Sequence, residues 1–441
     1  MKYIYKFYRT YNHTHQGKKK IYYPKNLNQL INILKLLKKK NIIPLVISGS
    51  CGYGDKSFLS CNNFVIDLSK FNKILKISTK KKFVITEAGT NLFYLSNKLI
   101  KKKMFIYNIP GGKGISVGGA ISGNVHGRPQ EKKFSCFGDN ILSLKILDKN
   151  FKIKKYNKKN IKLKKIIGSL GLEGIILEAK IKTNILKKKY LLKVDEEIFS
   201  KKKFKEFDGK HKTYYGFIDY FAKNEENFHG KFTYFVNILK GKNLKNKKNI
   251  DLFYLINLLK IDSIAKFIIN KFTLKFFYFF LFYLKKNSKK KKKVSFFSSI
   301  YFANITNFLP FYFRQGMLEI QFSINDTNLF DVIKSIKKIQ NSHNIYPHFF
   351  ILKKMFKSKQ KYFFNFPLFN HCITLSYAKN YLLKDKLFFK KLYKILWNYN
   401  CNLYLTKDEI TADLNPNYKN LIKSAIKVKI KNKINDFYSN I

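Results

Sequence analysis

The residues best placed to do chemistry in this chain are glycines. In Pro110-Gly111-Gly112-Lys113-Gly114-Ile115-Ser116-Val117-Gly118-Gly119-Ala120-Ile121-Ser122-Gly123-Asn124-Val125-His126-Gly127, seven of eighteen residues are glycine. Glycine tolerates positive φ and carries no Cβ, so consecutive N–H groups can converge on an anion such as a pyrophosphate. A second loop, Ser48-Gly49-Ser50-Cys51-Gly52-Tyr53-Gly54-Asp55, has the same character. The long tract is not GxGxxG, because Val117 stands at the third glycine position, and no Gly-Lys-Ser/Thr follows it. Taken alone, the two tracts are either tight turns between strands or the cradle of a phosphate-bearing cofactor. Cys51, Cys61, Cys136, Cys372 and Cys401 form no CxxC pair. That excludes a zinc ribbon and a disulfide scaffold, fits a reducing compartment, and leaves no metal site to expect.

The elements that must hold these loops are legible from periodicity. Pro24 opens a helix with Leu27, Leu30, Ile31, Leu34 and Leu37 on one face. Ile42–Ile47 is a short apolar strand running into the first glycine loop, and Phe64–Leu68 and Phe83–Ala88 are further strands. A helix over Leu92–Lys101 precedes the long tract, and Ile141–Leu147 and Ile175–Ile181 are strands after it. This alternation argues an α/β lobe up to about residue 185. Beyond it glycine thins and aromatic residues multiply. Gly316–Ile324 and His371–Tyr377 read as strands around a helix at Leu329–Gln340, Cys401–Leu405 reads as a late strand, and Lys285–Lys293 reads as a mobile basic loop.

The chain has 441 residues, suited to two lobes, and 45% hydrophobic residues, enough for packed cores. Its formal charge is +62, a field that would draw nucleic acid, anionic lipid or phosphorylated substrates. Only Arg9, Arg128 and Arg314 are arginines, however, against 85 lysines spread along the chain. Phosphate and base readers use the arginine fork as well. Lysine here accompanies abundant Asn, Ile, Phe and Tyr, all with A- or T-rich codons, so the charge reads as base bias expressed as solvated lysine faces. Met1–Lys20 is no secretory signal, and no run reaches the ~18 uncharged apolar residues of a spanning helix. Asp251–Lys293, apolar residues among lysines ending in a polybasic run, reads as a helical cap with a basic loop or as a surface for an anionic membrane.

The glycine loop ending Tyr53-Gly54-Asp55 is followed in order by Phe64-Val65-Ile66-Asp67-Leu68, Glu87-Ala88-Gly89-Thr90, Pro110-Gly111, Ser116-Val117-Gly118-Gly119-Ala120-Ile121, Val125-His126-Gly127, Phe137-Gly138-Asp139-Asn140 and Gly171-Leu172-Glu173-Gly174-Ile175-Ile176. This series resembles the PCMH-type FAD-binding lobe of the vanillyl-alcohol-oxidase-type flavoproteins. The resemblance is to the decaprenylphosphoryl-β-D-ribose oxidases, then to aldonolactone and alditol oxidases. It continues colinearly through Phe313–Phe322, Leu352–Phe356, Phe366-Pro367, Asn370–Ile373 and Tyr404–Asp408. Departures are Ser48-Gly49-Ser50-Cys51-Gly52 in place of Gly-x-Gly-Arg-Ser, Ile320 in place of a tyrosine, and Arg128 in place of a lysine.

The resemblance implies an α+β fold. An FAD-binding PCMH-type domain spans residues 1–187, an antiparallel-sheet substrate domain with helices spans 188–401, and residues 402–441 return to the first domain. It implies that FAD is held by Gly49, Ser50, Cys51, Gly52, Tyr53, Gly54, Pro110, Gly111, Ser116, Gly118, Gly119, Ile121, Gly123, Asn124, His126, Gly127, Gly174, Ile176 and Tyr404. Tyr53 stands where covalent relatives carry a histidine, which implies non-covalent FAD. Lys407 and His126 are the implied catalytic residues, the first a cation beside the reduced flavin, the second open as to whether it is a base. Arg128, Lys353, Cys372 and Lys407 are implied on the substrate side.

The expected reaction is oxidation of a secondary sugar hydroxyl to a ketone, on a polyprenyl-phospho-pentose, with a quinone acceptor and a partner short-chain reductase completing an epimerisation. The alternatives are an aldonolactone or alditol oxidase on a soluble polyol, a charge-driven nucleic-acid-binding protein, and a decayed, non-catalytic flavoprotein. No specific nucleic acid is expected as partner. The expected location is cytoplasmic, with peripheral attachment to the inner face of the cell membrane as a further option.

Overall fold

The computed structural model describes residues 2–42, 44–53, 63–222, 228–237, 271–282, 289–301, 316–362 and 366–407. The chain divides into two compact units. The first comprises residues 1–187, 358–366 and 405–441, and the second residues 188–357 and 367–404.

The first unit holds β1 (Ile4–Arg9), β2 (Gln16–Tyr22), α1 (Leu27–Lys39), β3 (Leu45–Ile47), β4 (Phe64–Asp67), β5 (Ile74–Ser78), β6 (Phe83–Glu87), α2 (Leu92–Lys101), β7 (Met104–Phe105), α3 (Val117–Ser122), β8 (Ile141–Leu147), β9 (Ile153–Asn157), α4 (Ile161–Ile166), β10 (Ile175–Lys182) and β11 (Asn184–Ile185). Strands β1-β2-β4-β3 form a mixed sheet, parallel where β4 meets β2 and β3. Strands β5-β6-β10-β8-β9 form a second, antiparallel sheet. Helix α1 starts where Asn26 accepts the Gln29 N–H at 3.0 Å and buries Leu30, Ile33, Leu34 and Leu37. Those side chains pack with Tyr22, Ile66, Leu68, Ile175 and Leu177, so one core joins both sheets.

The second unit is built on one antiparallel sheet in the order β15-β12-β14-β13-β17-β18-β16-β19. Its elements are β12 (Tyr190–Ile198), α5 (Lys201–Lys210), β13 (Tyr214–Ile218), β14 (Gly230–Asn237), α6 (Lys271–Phe282), β15 (Lys289–Ser295), α7 (Phe296–Ile300), β16 (Met317–Ile324), α8 (Leu329–His343), β17 (Phe349–Lys354), β18 (His371–Ala378), α9 (Lys379–Lys384), α10 (Lys386–Asn398) and β19 (Asn402–Leu403). The described part of the lysine run expected as a mobile loop, Lys289–Lys293, is therefore an edge strand, and residues 285–288 lie outside the described residues. It pairs with β12, and Lys289 meets Glu196 at 2.9 Å. Pairing with an acid-bearing neighbour (Asp195, Glu196, Glu197) relieves the like-charge repulsion that the run alone would suffer.

Alternation gives this sheet two chemically different faces. On one, Phe232 packs against Phe204 and Phe207 of α5, and Tyr377 against Phe388 and Phe389 of α10. The same face carries a buried ionic clamp. His371 Nδ1 lies 2.7 Å from Asp326 and Nε2 2.9 Å from Asp208. Tyr214 donates its hydroxyl to Asp208 at 2.7 Å, and Lys354 pairs with the same carboxylate at 2.9 Å.

Burial pushes the His371 pKa down, but hydrogen bonds and charge from Asp208 and Asp326 outweigh it and leave the value raised. Burial also pushes Asp208 up, yet His371, Tyr214 and Lys354 bring it to about 2. The His371 contribution is thus complete below the ordinary histidine value and is lost as pH rises through the raised one. The Asp208 contribution is present above the ordinary carboxylate value and is lost as pH falls toward about 2. We predict that thermal stability of the wild type declines as pH rises from the ordinary histidine value through the raised one, and that His371→Gln flattens this slope. The variant should lose about 2 kcal/mol at the lower pH, less than a fully buried pair because Asp326 is half exposed. Thermal melts across the pH series check both.

Candidate functional site

The two glycine tracts meet. The Ser48 and Ser116 hydroxyl oxygens are 2.6 Å apart. A Cβ added at Gly49 would come within 2.8 Å of the Ser116 nitrogen and 2.9 Å of the Gly114 carbonyl, and one at Gly114 within 2.7 Å of Cys51 Sγ. Only glycine allows this approach. Ser116 also caps α3, accepting the Gly119 N–H at 3.2 Å. Asn91, the cap of α2, reaches across with its amide to the Lys113 carbonyl at 2.7 Å. Val117 and Gly118 donate to the carbonyls of Thr90 and Ala88. The Glu87–Thr90 turn and two helix caps thus hold the tract.

Ser50 has a φ of 52°, the left-handed alternation that turns successive N–H groups toward one point. The N–H groups of Gly49, Ser50, Cys51, Gly111, Gly112 and Gly114 donate to no acceptor among the described residues. Backbone donors in this state, beside the start of a helix, fit a diphosphate. Gly54 lies outside the described residues. Cys51 is pushed up to about 11 by burial, which keeps its thiol protonated at neutral pH. Pro110 and Gly111 lead into the tract, and Ile121 is buried within α3.

The tract ends at a braced corner. The Gly138 N–H donates to Asn124 Oδ1 at 3.0 Å, the Phe137 N–H to the Val125 carbonyl at 2.8 Å, and the Gly127 N–H to Asn108 Oδ1 at 3.3 Å. A Cβ on Gly127 would overlap the Ile109 carbonyl. His126 stands between these anchors, half-buried, its ring 5.4 Å from that of Phe366. Arg128, also half-buried, exchanges backbone hydrogen bonds with Ile109. Asp139 braces the other side, accepting from the Ser135 N–H (2.7 Å), the Ser135 hydroxyl (2.9 Å), the Cys136 N–H (3.2 Å) and the Tyr362 hydroxyl (2.6 Å). Gly174, φ 122°, and buried Ile176 lie at the start of β10, where Ile176 pairs with Ile146.

Lys407 comes to the same unit. Its ammonium sits 5.3 Å from the centre of the Tyr53 ring, over its face. The preceding Thr406 donates its hydroxyl to the Gly123 carbonyl at 2.9 Å and fills the space a Cβ on Gly123 would need. Residues more than 280 positions apart are thereby joined at one place.

The second unit collects its own set. Lys353 pairs with Cys372 and Cys372 with Ser323, so all three share the sheet face opposite α5 and α10. Gln321 and Thr374 share it too, and the Gln321 amide donates to Cys372 Sγ at 3.0 Å. Ile320 points to the covered face, where an aliphatic side chain suits its surroundings. Tyr404 is buried and donates its N–H to the Gln321 carbonyl at 2.8 Å. Sequence reasoning did not single out Asn91, Asn108, Asp139, Tyr362 or Thr406. Asp139 stood inside the quoted Phe-Gly-Asp-Asn stretch without a role. Tyr362, among lysines and phenylalanines, carried no signal of its own.

A family model described as an FAD binding domain matches residues 19–156. Among curated proteins, decaprenylphosphoryl-beta-D-ribose oxidase of Mycolicibacterium smegmatis is 29% identical over 132 residues, covering 29% of this chain and 28% of that protein. L-gulonolactone oxidase of Scyliorhinus torazame is 27% identical over 103 residues, 23% of each chain. The chain thus aligns with about a quarter of the length of these relatives. The solved structure of Physcomitrella patens BBE-like 1 superposes with a TM-score of 0.61 at 16% identity, covering 92% of this chain and 88% of that one. A berberine bridge enzyme variant does so at 15% identity, with coverages of 92% and 82%. These structures share the fold. The PCMH-type resemblance read from the residues is borne out, and residues 19–156 are an FAD-binding domain.

Gly49→Ala should therefore lower FAD affinity by about 2 kcal/mol, the worth of one or two hydrogen bonds to a charged group. Gly17→Ala, with nothing within 4 Å of the added methyl, should leave it unchanged. Flavin titration of the two variants checks the contrast.

Proposed function

We propose that the protein is an FAD-dependent oxidoreductase that oxidises a secondary hydroxyl of a sugar to a ketone. The observation that carries this reading is the arrival of Lys407 over Tyr53, beside a glycine cradle with outward backbone donors. The bound flavin supplies acceptance of a hydride equivalent. The substrate carbon gives up that hydride while its hydroxyl loses a proton, so the C–H and O–H bonds break as the C=O bond forms. The Lys407 ammonium would offset negative charge that accumulates on the reduced cofactor. His126, held by the Asn124 and Gly127 anchors, is the chain's candidate to take the hydroxyl proton on its ring nitrogen. FAD would be held without a covalent bond, since Tyr53 replaces the histidine expected of covalent attachment and the buried Cys51 thiol is protonated.

Two observations bear on the substrate. Arg128 in the first unit and Lys353 in the second are each a cation of a kind suited to a phosphate, and a decaprenylphosphoryl-ribose oxidase is among the relatives. The favoured substrate is therefore a polyprenyl-phospho-pentose, with a quinone as acceptor and a separate reductase consuming the ketone. A second reading, an aldonolactone-type oxidase on a soluble polyol, is favoured by the likeness to L-gulonolactone oxidases.

The purified protein should be yellow, and acid denaturation should release all of the flavin into the supernatant. A prenyl-phospho-pentose should bleach the flavin absorbance anaerobically, and Lys407→Ala should slow that bleaching about 10²–10³-fold. Bleaching by an aldonolactone alone would select the second reading. A yellow protein that neither compound bleaches would refute both and point to a cofactor-binding protein that has lost its chemistry.

A further inference from the structure

The hairpin β1–β2 inverts the usual order of burial. Five of the six residues of β1 are exposed, yet Thr10, Asn12 and Thr14 in the turn that follows are 1%, 0% and 3% exposed. Connecting turns ordinarily lie at the surface, because polar groups taken out of water must find other partners. Here the turn supplies them itself. The Thr14 hydroxyl donates to Asn12 Oδ1 at 3.1 Å and lies 3.0 Å from His15 Nδ1. The Thr10 N–H donates to the His15 carbonyl at 2.9 Å, and the His15 N–H donates back to the Thr10 hydroxyl at 3.2 Å. His13, at a φ of 58°, donates its N–H to the Thr10 carbonyl at 3.0 Å.

This self-satisfied turn presents one aromatic residue, Tyr11, to the first glycine loop. The Tyr11 N–H donates to the Gly52 carbonyl at 3.2 Å, and its ring centre lies 5.4 Å from that of Tyr53, with the planes tilted by 56°. Tyr53 is also the ring whose face carries the Lys407 ammonium at 5.3 Å. Contacts therefore run from Tyr11 through Tyr53 to Lys407, bringing together three distant parts of the sequence within the first unit. A cation over a ring is placed only as well as the ring is, since the attraction is directed along the ring face. A tilted aromatic neighbour at this distance limits how far the Tyr53 ring can turn.

We propose, resting on the reading of Lys407 as the cation beside the flavin, that Tyr11 is a positioning residue for that cation. Tyr11 acts through Tyr53 and not on the reacting atoms. The turn from Thr10 to His15 is its rigid mount, and the burial of three polar side chains there serves to hold one ring in place. A cation near the cofactor favours its reduced, more negative form and so raises the midpoint potential of the bound flavin. Loosening the Tyr53 ring spreads the Lys407 ammonium over more positions and lowers that potential. The effect of Tyr11 thus exists only while Lys407 is present.

The test measures the flavin midpoint potential by dye equilibration on the FAD-loaded full chain. Tyr11→Leu should lower it, with the same sign as Lys407→Ala, and Tyr11→Phe, which keeps the ring, should restore it. The double variant Y11L/K407A should fall no lower than Lys407→Ala alone, the non-additivity expected of residues acting as one unit. Thr14→Val, which keeps the side-chain shape and removes the hydroxyl that ties Asn12 to His15, should give a smaller shift of the same sign and serves if Tyr11→Leu folds poorly. Ile33→Val, in the core beneath α1, should lower the melting temperature and leave the potential unmoved. Anaerobic bleaching by the sugar substrate should slow about tenfold in Tyr11→Leu, with FAD affinity held within about twofold. An unmoved potential in Lys407→Ala, or in both Tyr11→Leu and Thr14→Val, would overturn the proposal, as would additive shifts in the double variant. If the potentials behave as expected while no sugar bleaches the flavin, the substrate reading falls and the role of Tyr11 stands. Bleaching by the sugar together with additive shifts would leave the substrate reading and remove the role of Tyr11.

Discussion

The hydrogen bond between Ser48 and Ser116 joins two loops 68 residues apart and sets the spacing on which the first unit's chemistry rests. Each loop alone is a bend. Held together, they present backbone donors from both sides, and the glycines at 49 and 114 let the two main chains approach within a distance no side chain would allow. The surrounding polar contacts serve that spacing. Asn91 caps a helix with its oxygen and ties down the tract with its nitrogen. Ser116 caps another helix while holding the first loop. A cofactor diphosphate needs donors fixed before it arrives, because ordering them on binding would cost the affinity they provide.

The same economy appears at the His126 corner. Hydrogen bonds made by its neighbours hold the backbone on either side of the histidine, and its ring packs against Phe366. Asp139 and Tyr362 stabilise this corner from outside. Tyr362 belongs to the stretch 358–366, which returns to the first unit from a chain segment otherwise building the second. Thr406 and Lys407 are a second return of the same kind. The first unit is therefore completed by two short pieces that sequence order places far away.

Much of this was legible because glycine and alternating apolar residues leave strong local patterns. The strand Ile141–Leu147 appears with the bounds its apolar run gave, and Leu92–Lys101 is the helix its spacing required. Expected strands at Ile42–Ile47 and Cys401–Leu405 shorten to Leu45–Ile47 and Asn402–Leu403, since a strand ends where its partner ends and not where apolar residues do. The lysine run was misread because its strand character comes from β12, whose acidic residues lie almost a hundred positions earlier. Tyr362 and Asn108 were invisible for the same reason. A side chain that acts through one long-range hydrogen bond leaves no local pattern.

In a chain with 88 basic and 26 acidic residues, a lysine says little by being present, and the scarce carboxylates say more. Asp208 and Asp326 close on His371, and Glu197 and Asp219 close on His229 at 2.9 and 3.1 Å. Asp139 gathers five donors at the His126 corner, the Cys136 thiol among them, and Glu196 receives both Lys289 and the Tyr234 hydroxyl. None of these carboxylates is a generic surface counter-ion. Self-repulsion from such an excess of charge destabilises a compact state, and salt screens it only at the surface. Partly buried carboxylates work where screening is weak, so each one both fixes a fold element and opposes the net field locally. Composition bias could multiply lysines across solvated faces without touching these positions. A lysine therefore carries functional meaning here only where geometry singles it out, as over the Tyr53 ring.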